Sequence, residues 1–502
     1  TEVKKIIFKD KIINIGFKRL AIQDLSKDSN KIFHDQNFVL LFNGEIYNKK
    51  NLREKYLNNL TLETNSDTEV LFNLLKKYGS KIVSEIQGIF SIVFINLKKE
   101  QIELLRDYTG TKPLYYKLTN KKLFFCSEAW FLYSLSEKQI NKISLNFYLN
   151  FGFTPEESTL IESVKKVKPR SKLTINLNNF DINKNVYFEI DKKKDKELPS
   201  LIDINKALED AINLNLLSDT KVGTFLSGGI DSSLITSIAK KRNDKIESFT
   251  TVYLPEKNYQ KFNIDYQYAK RLSENSGIKL NVNYIDNLNS TIDDFYKVTN
   301  YLDEPVSNLN FLNTYWQSKH AKEKGFKVIL TGDGSDELFC GYDRYYNIFI
   351  CEKLKYLKFF VKKIDLYNSV PKNRIPKFFY SIFNNSNYLN FLKKDLVDQK
   401  NEEENFFDNL LYESKVDYIN YFDFKHWLTN ESNYKLDKCT MINSVEARIP
   451  FQDISLIKKL FFVKNRKKFK FLNRKYILKN NDHIPSYIKN RKKSGWFTPD
   501  TI

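Results

Sequence analysis

The stretch that most constrains this chain is Phe225-Leu-Ser-Gly-Gly-Ile-Asp-Ser-Ser233. The apolar run Val222-Gly-Thr-Phe-Leu226 reads as a buried strand, and Ser232 to Lys241 reads as a helix beginning directly after the glycines. Such a strand, in a region where strands and helices alternate, belongs to a parallel sheet covered by helices. The two glycines let backbone N–H groups approach a ligand, and the helix start adds unpaired donors and the positive end of its dipole. An oxyanion is well held there, with the hydroxyls of Ser227, Ser232 and Ser233 as further donors. Asp231 repels a bare phosphate, so its place in the loop makes sense if Mg²⁺ bridges it to the phosphates. The loop lacks the Gly-x-x-x-x-Gly-Lys-Ser/Thr of a Walker A motif.

A second loop, Thr331-Gly-Asp-Gly-Ser-Asp-Glu-Leu-Phe-Cys-Gly-Tyr342, follows the apolar run Lys327-Val-Ile-Leu-Thr331. Acids in a glycine-rich loop at the end of a parallel strand look like site machinery, because ligands of open parallel sheets bind at that edge. Alone it could be a solvated turn. Paired with the first loop it offers a second Mg²⁺ carboxylate and a base. Further strand and helix signals are Glu247 to Leu254 and the amphipathic stretch Ile202 to Leu216. The chain before Ile190 reads differently, as strands with short turns: 37–43 ending at Asn-Gly, 89–96, 101–106 and 122–126. One helix, Ser66 to Tyr78, interrupts them, with Ser66 as N-cap. Charged Asp191 to Ser200 reads as a linker. From 342 to 427 the chain is rich in Lys, Phe and Tyr at helical spacing.

Composition excludes several classes. The 502 residues allow two or three domains at the usual ~100–200 residues each. No apolar run approaches the ~18 residues of a membrane span. Lys and Arg number 81 against 61 Asp and Glu, a net +20, but lysines are spread among acids on helix faces, so nucleic acid is not read as the main partner. The scattered Cys126, Cys340, Cys351 and Cys439, and His34, His320, His426 and His483, give no zinc spacing and no Ser-His-Asp set. They fit reduced thiols in a cytoplasmic chain.

The Ser-Gly-Gly-x-Asp-Ser loop resembles the pyrophosphate loop of the ATP pyrophosphatases. Together with the 331–342 loop, Asp437-Lys-Cys-Thr-Met-Ile-Asn-Ser-Val-Glu-Ala-Arg-Ile-Pro-Phe-Gln-Asp453 and Asn490-Arg-Lys-Lys-Ser-Gly-Trp-Phe-Thr-Pro499, it resembles the synthetase domain of glutamine-hydrolysing asparagine synthetases. Gly16 to Asp24, Phe42-Asn-Gly-Glu-Ile-Tyr-Asn48, Ser66-Asp-Thr-Glu-Val70 and Leu105 to Tyr116 resemble that family's class II glutamine amidotransferase domain. The resemblance implies an N-terminal α+β domain of antiparallel sheets, Ntn-hydrolase-like, over 1–190. A linker, 191–203, and an α/β parallel-sheet synthetase domain with many helices, 204–502, follow. It implies ATP and Mg²⁺, glutamine or ammonia, and aspartate or another carboxylate. A homodimer stays open.

By resemblance, Arg19 holds the glutamine carboxylate, Leu20, Ala21, Ile22 and Gln23 form the adjoining wall, Asn43 and Gly44 serve an oxyanion, and Glu45 and Asp67 take the α-ammonium. Leu226, Thr251, Thr331 and Gly332 border the adenosine, and Ser227, Gly228, Gly229 and Ser232 cradle pyrophosphate. Asp231 and Asp336 share Mg²⁺. Asp333, where many members carry Glu, helps form the acyl-adenylate, and Lys493 steadies the α-phosphate. Glu446 and Arg448 either border the acceptor pocket or hold two helices together. One departure stands out: the family's nucleophilic N-terminal Cys has no counterpart before Arg19, and the chain opens Thr1-Glu-Val-Lys. We expect a trimmed chain that does not hydrolyse glutamine as given, the alternative being a natural ammonia-dependent enzyme. The expected reaction is amidation of aspartate through an acyl-AMP. The rival readings are the same chemistry on another acid such as a sugar uronic acid, a binding protein that has lost catalysis, and a tRNA-modifying pyrophosphatase.

Overall fold

The computed structural model describes residues 1–119, 122–190, 194, 196–255, 260–286, 288–346, 349, 414–470 and 474–491. Most of the 342–427 stretch, and Lys493, lie outside them.

The N-terminal part is built on an antiparallel sheet. Its strands are β1 (Glu2–Phe8), β2 (Lys11–Phe17), β3 (Phe33–His34), β4 (Phe38–Ile46), β5 (Gly88–Asn96), β6 (Gln101–Arg106), β7 (Tyr115–Thr119), β8 (Lys122–Cys126), β9 (Lys165–Lys166), β10 (Ser171–Asn176) and β11 (Ile182–Val186). The main sheet runs β11-β10-β6-β5-β4-β3, with β8-β7-β9 and the β1–β2 hairpin as separate sheets. Alternation sorts the two faces. Leu40, Phe42, Phe90, Ile92 and Phe94 pack under helix α1 (Lys49–Tyr56) and helix α2 (Asp67–Tyr78). Val39, Val93, Ile95 and Leu104 face the other way, toward Ile15, Leu114 and Tyr116. Ser66 caps α2 by accepting from the Glu69 N–H at 3.1 Å.

The Asn-Gly at 43–44 is not a turn. Strand β4 runs through it to Ile46, pairing Asn43 with Ser91 and Gly44 with Phe90. Gly44 has φ +147, and a Cβ there would lie 2.0 Å from the Ile89 carbonyl oxygen. The glycine serves a close approach of two backbones inside the sheet, which is why a turn signal sits in mid-strand.

The C-terminal part holds a parallel sheet of β12 (Val222–Phe225), β13 (Glu247–Tyr253), β14 (Lys279–Ile285), β15 (Val328–Leu330) and β16 (Glu446–Arg448), in the order β14-β13-β12-β15-β16. Strand β16, in a stretch not read as a strand from sequence, pairs in parallel with β15. Helices α3 (Leu201–Asn215), α4 (Ile230–Arg242), α5 (Ile264–Ser276) and α6 (Asn310–Glu323) flank it. A further run of helix, Lys415–Phe422, passes through a π-helical stretch, Asp423–Asn433, into Tyr434–Met441. The charged segment after Ile190 is not wholly solvated. Lys194 is buried, donating to Asn420 Oδ1 at 2.5 Å and Asn465 Oδ1 at 3.3 Å, and burial pulls its ammonium down to about 7. Among the described residues no helix is long and apolar enough to cross a membrane.

Candidate functional site

The parallel sheet places its two loops at one edge. Leu226 ends the strand with its side chain in the core and its N–H on the Phe249 carbonyl at 2.9 Å. Gly228 then turns with φ +66; a Cβ there would lie 2.5 Å from Tyr268 Cβ and 2.7 Å from the Ala269 nitrogen. Only glycine lets the loop lie this close to α5. Helix α4 begins at Gly229 with no side-chain cap. Its first-turn N–H groups are therefore available to an anion. Ser227 and Ser232 hydroxyl oxygens stand 3.1 Å apart, and Ser232 Oγ also accepts from the Ser227 N–H at 3.2 Å. Thr251 is buried near the end of β13, and its Oγ1 has no hydrogen-bond partner among the described residues.

The second loop lies against the first. A Cβ on Gly332 would stand 3.0 Å from Asp231 Cβ. Ser335 Oγ donates to Asp231 Oδ1 at 2.6 Å. Asp231 and Asp336 converge on one cation, the buried Nζ of Lys475. It is 2.7 and 2.6 Å from the two Asp231 oxygens and 2.6 Å from Asp336 Oδ1. The two carboxylates hold the Lys475 ammonium above its ordinary range against the opposing effect of burial. Here a cation already stands where a shared ion was expected. The donors are hard oxygens, and among the described residues no group of three or more His, Cys, Asp and Glu could hold a metal. Two carboxylates fit Mg²⁺, which takes one or two from protein and fills its shell with phosphate and water oxygens.

Asp333 is held from another side. Ser432 Oγ donates to its Oδ1 at 3.3 Å, and burial raises its carboxyl above the ordinary range. Ser432 lies on the π-helical stretch, as does Glu431, which pairs with Lys435 at 2.9 Å. A π-helix is rare and often marks a functional place. Arg491 reaches the first loop from near the C-terminus, donating to the Ser227 carbonyl at 3.0 Å, pairing with Asp265 and lying 4.5 Å from the centre of the Tyr268 ring. Lys475 and Arg491 were missed as site residues in the sequence. Lysine is too common here for one to stand out. Arg491 had a signal, two positions from Lys493 in the 490–499 motif.

The residues expected to form a glutamine pocket are brought together in part. Glu45 and Asp67 are buried neighbours; burial first, then the charge of Asp67, raises the Glu45 carboxyl well above its ordinary range. Asp67 Oδ2 accepts the Ile46 N–H at 2.9 Å. Gln23 is buried beside Glu45. Arg19 is engaged by its own loop, donating to the carbonyls of Gln23 and Asp24 and to Ser29 Oγ at 2.6 Å. Leu20 and Ile22 pack into the core of the C-terminal part, and the Ala21 and Ile22 carbonyls accept from Lys327 Nζ at 3.1 Å and the Asp219 N–H at 3.0 Å.

Glu446 and Arg448 sit at the junction of the two parts. Arg448 is fully buried: its Nε donates to Glu446 Oε1 at 2.9 Å, its Nη1 to the Asn215 and Leu217 carbonyls at 2.9 and 2.6 Å, and its Nη2 is 3.5 Å from Glu45 Oε2. Its own carbonyl accepts the Thr331 N–H at 2.9 Å. Other buried contacts cross the same junction. Lys112 pairs with Asp437 at 2.9 Å, Lys438 with Glu128, and Thr429 and Asn433 donate to the Thr109 carbonyl at 3.1 and 3.0 Å.

Residues 203–501 match a family model described as asparagine synthase, and residues 4–188 one described as glutamine amidotransferase domain. The chain is 30% identical over 518 residues to asparagine synthetase (glutamine-hydrolyzing) 1 of Bacillus subtilis, covering 98% of this chain and 81% of that relative. It is 25% identical over 507 residues to asparagine synthetase (glutamine-hydrolyzing) 3 of the same organism, covering 96% and 79%. It is also 26% identical over 367 residues to amidase chry2 of Gibberella zeae, covering 66% of this chain and 52% of that protein.

Proposed function

The chain belongs to the asparagine synthase family, and from there we propose that it is a glutamine-hydrolysing ligase that amidates a carboxylic acid at the expense of ATP, with aspartate as acceptor and an acyl-adenylate as intermediate. The observation that carries this reading is the meeting of Asp231 and Asp336 on one cation, directly beside an uncapped helix start. We take 1–190 as the amidotransferase domain, 191–203 as the linker and 204–502 as the synthetase domain. Dependence on ATP and the free thiols of Cys126, Cys340 and Cys439 favour the cytoplasm.

The N–H groups at the start of α4 and the hydroxyls of Ser227 and Ser232 hold the pyrophosphate end of the nucleotide. Leu226, Thr251, Thr331 and Gly332 border its nucleoside, with the Leu226 backbone as the contact because its side chain is in the core. Asp231 and Asp336 would hold Mg²⁺, which when bound neutralises charge on the departing pyrophosphate. The acid's carboxylate attacks the α-phosphorus, and the bond to the β-phosphate breaks. Lys493, outside the described residues, is the lysine that the family resemblance assigns to steadying charge on the α-phosphate. Ammonia then forms the C–N bond as the C–O bond to AMP breaks, and Asp333 receives a proton. The raised carboxyl of Asp333 suits that step, since a base works best with a pKa near the working pH. In the other part, Glu45 and Asp67 would receive the glutamine ammonium and Arg19 its carboxylate, and Asn43 and Gly44 would donate to the oxyanion that forms when the family's nucleophilic cysteine, without a counterpart before Arg19, adds to the amide carbon.

The test uses the chain with ATP, Mg²⁺ and ammonia, which bypasses glutamine. Pyrophosphate is expected to appear only when aspartate is added, and to vanish in Asp231→Ala. Turnover of a uronic or other acid in place of aspartate would overturn the acceptor. Silence with every acid offered to folded protein would overturn the ligase reading.

A further inference from the structure

The position shared by Asp231 and Asp336 is occupied by a part of the protein itself. Lys475 Nζ lies within 2.7 Å of three carboxylate oxygens and 3.3 Å from Ser335 Oγ. The lysine is 5% exposed, so this is no surface ion pair. The backbone is shaped to bring it there. Lys475 itself adopts φ +48, a left-handed conformation unfavourable for a side-chain-bearing residue, just before the short helix Tyr476–Lys479. Gly341 makes room: a Cβ there would lie 1.9 Å from both Lys475 Cε and Asp336 Oδ1.

A divalent ion needs those oxygens at ~2.0–2.1 Å for Mg²⁺, which leaves no place for an ammonium bound to the same three. The two cations also repel. One must leave for the other to enter. The uncapped start of α4, whose first turn carries Asp231, is where nucleotide phosphates bind on the reading above, and they would give the displaced ammonium a new anionic partner.

We infer that Lys475 is a positioning residue that holds Asp231 and Asp336 together before loading and blocks a divalent ion from binding in the absence of nucleotide. The inference rests on the assignment of those two acids to the ion. Its consequence is a loading order: the metal enters with the nucleotide and does not precede it. Lys475→Met removes the internal competitor and leaves both carboxylates.

The probe is Mn²⁺ without nucleotide, with free ion counted by its paramagnetic resonance signal, on the full chain. The wild type is expected to bind it at least tenfold more weakly than Lys475→Met, and Lys475→Arg, which keeps the positive charge, to bind it as weakly as the wild type. Crystals of Lys475→Met soaked in Mn²⁺ should show anomalous scattering between Asp231 and Asp336, and wild-type crystals should not. Equal affinity in the wild type and Lys475→Met overturns the inference. If Lys475→Met does not fold, Lys475→Gln takes its place, and tight nucleotide-free binding at this position in the wild type overturns the inference without any variant. If Mn²⁺ fails to bind the folded variant and also fails with α,β-methylene-ATP present, the ion assignment falls together with the inference. If it binds wild type and variant alike, the assignment stands and only the blocking role is lost.

Discussion

Replacing Arg448 by Met separates a junction residue from an acceptor-pocket residue. The guanidinium is fully buried and touches two buried carboxylates, Glu446 at 2.9 Å and Glu45 at 3.5 Å, and two carbonyls at 2.9 and 2.6 Å. Met fills much of the volume but takes its cation from Glu45 and leaves Glu446 with the buried Lys112 Nζ, 3.7 Å away. Removing one partner of a buried pair costs about 3–5 kcal/mol, most of it from the charge left behind. Unfolding entropy of roughly 2.1 cal/mol/K per residue gives about 1 kcal/mol/K for a chain of this length, so the midpoint should fall by about 4 °C if the chain melts as one unit. If the parts melt separately the fall is larger in the affected one. The loss should shrink at low pH, where Glu45 protonates readily: its carboxyl is already raised by burial and by Asp67. A raised acid favours the folded state most below its unfolded value, so acid relieves the variant. Differential scanning calorimetry from pH 5 to 8 measures both effects. With ammonia as donor, the KM for the acid should stay near that of the wild type. An unchanged melting profile with a tenfold rise in that KM would refute the junction account and return Arg448 to the acceptor pocket.

Three further outcomes are expected. Gly228→Ala forces a left-handed alanine and a Cβ at 2.5 Å from Tyr268, so pyrophosphate release should drop at least 100-fold while circular dichroism stays native; retained turnover counts against the loop as phosphate cradle. Lys194→Met should flatten the pH dependence of stability. The folded ammonium titrates at about 7, so between there and the ordinary lysine range the unfolded chain binds an extra proton. Wild-type stability therefore rises with pH across that window relative to the variant, and parallel urea-denaturation profiles would contradict the burial. Asp333→Asn should abolish amide formation but keep nucleotide binding by calorimetry, whereas Asp333→Glu should retain activity; equal rates in Asn and wild type would remove Asp333 from the chemistry.

The sequence was most legible where one short stretch carried its own geometry. Strand, glycine turn and helix at 222–242 could be placed because each residue type there has a local reason. The apolar run 89–96 likewise marked the sheet. Long-range partners were hidden: Asp231 and Lys475 are 244 positions apart, and nothing local marks a lysine among so many. Glu446 and Arg448 were visible as a motif, but their place depended on β16 joining the sheet edge and on Glu45 coming from the other part. The Asn43-Gly44 pair misled because a glycine required by backbone crowding has the same letter as one required by a turn. The π-helical stretch carries no period that a search for ordinary helices would find.

The junction contacts through Lys112, Arg448, Lys438 and the Thr109 carbonyl also bear on engineering. Halves taken from two different relatives will not graft at the charged segment near residue 191 simply because it resembles a tether. The recipient must also inherit, as one matched set, Glu45 and the partners around 106–128 and 423–448, or else keep stranded charges along the seam.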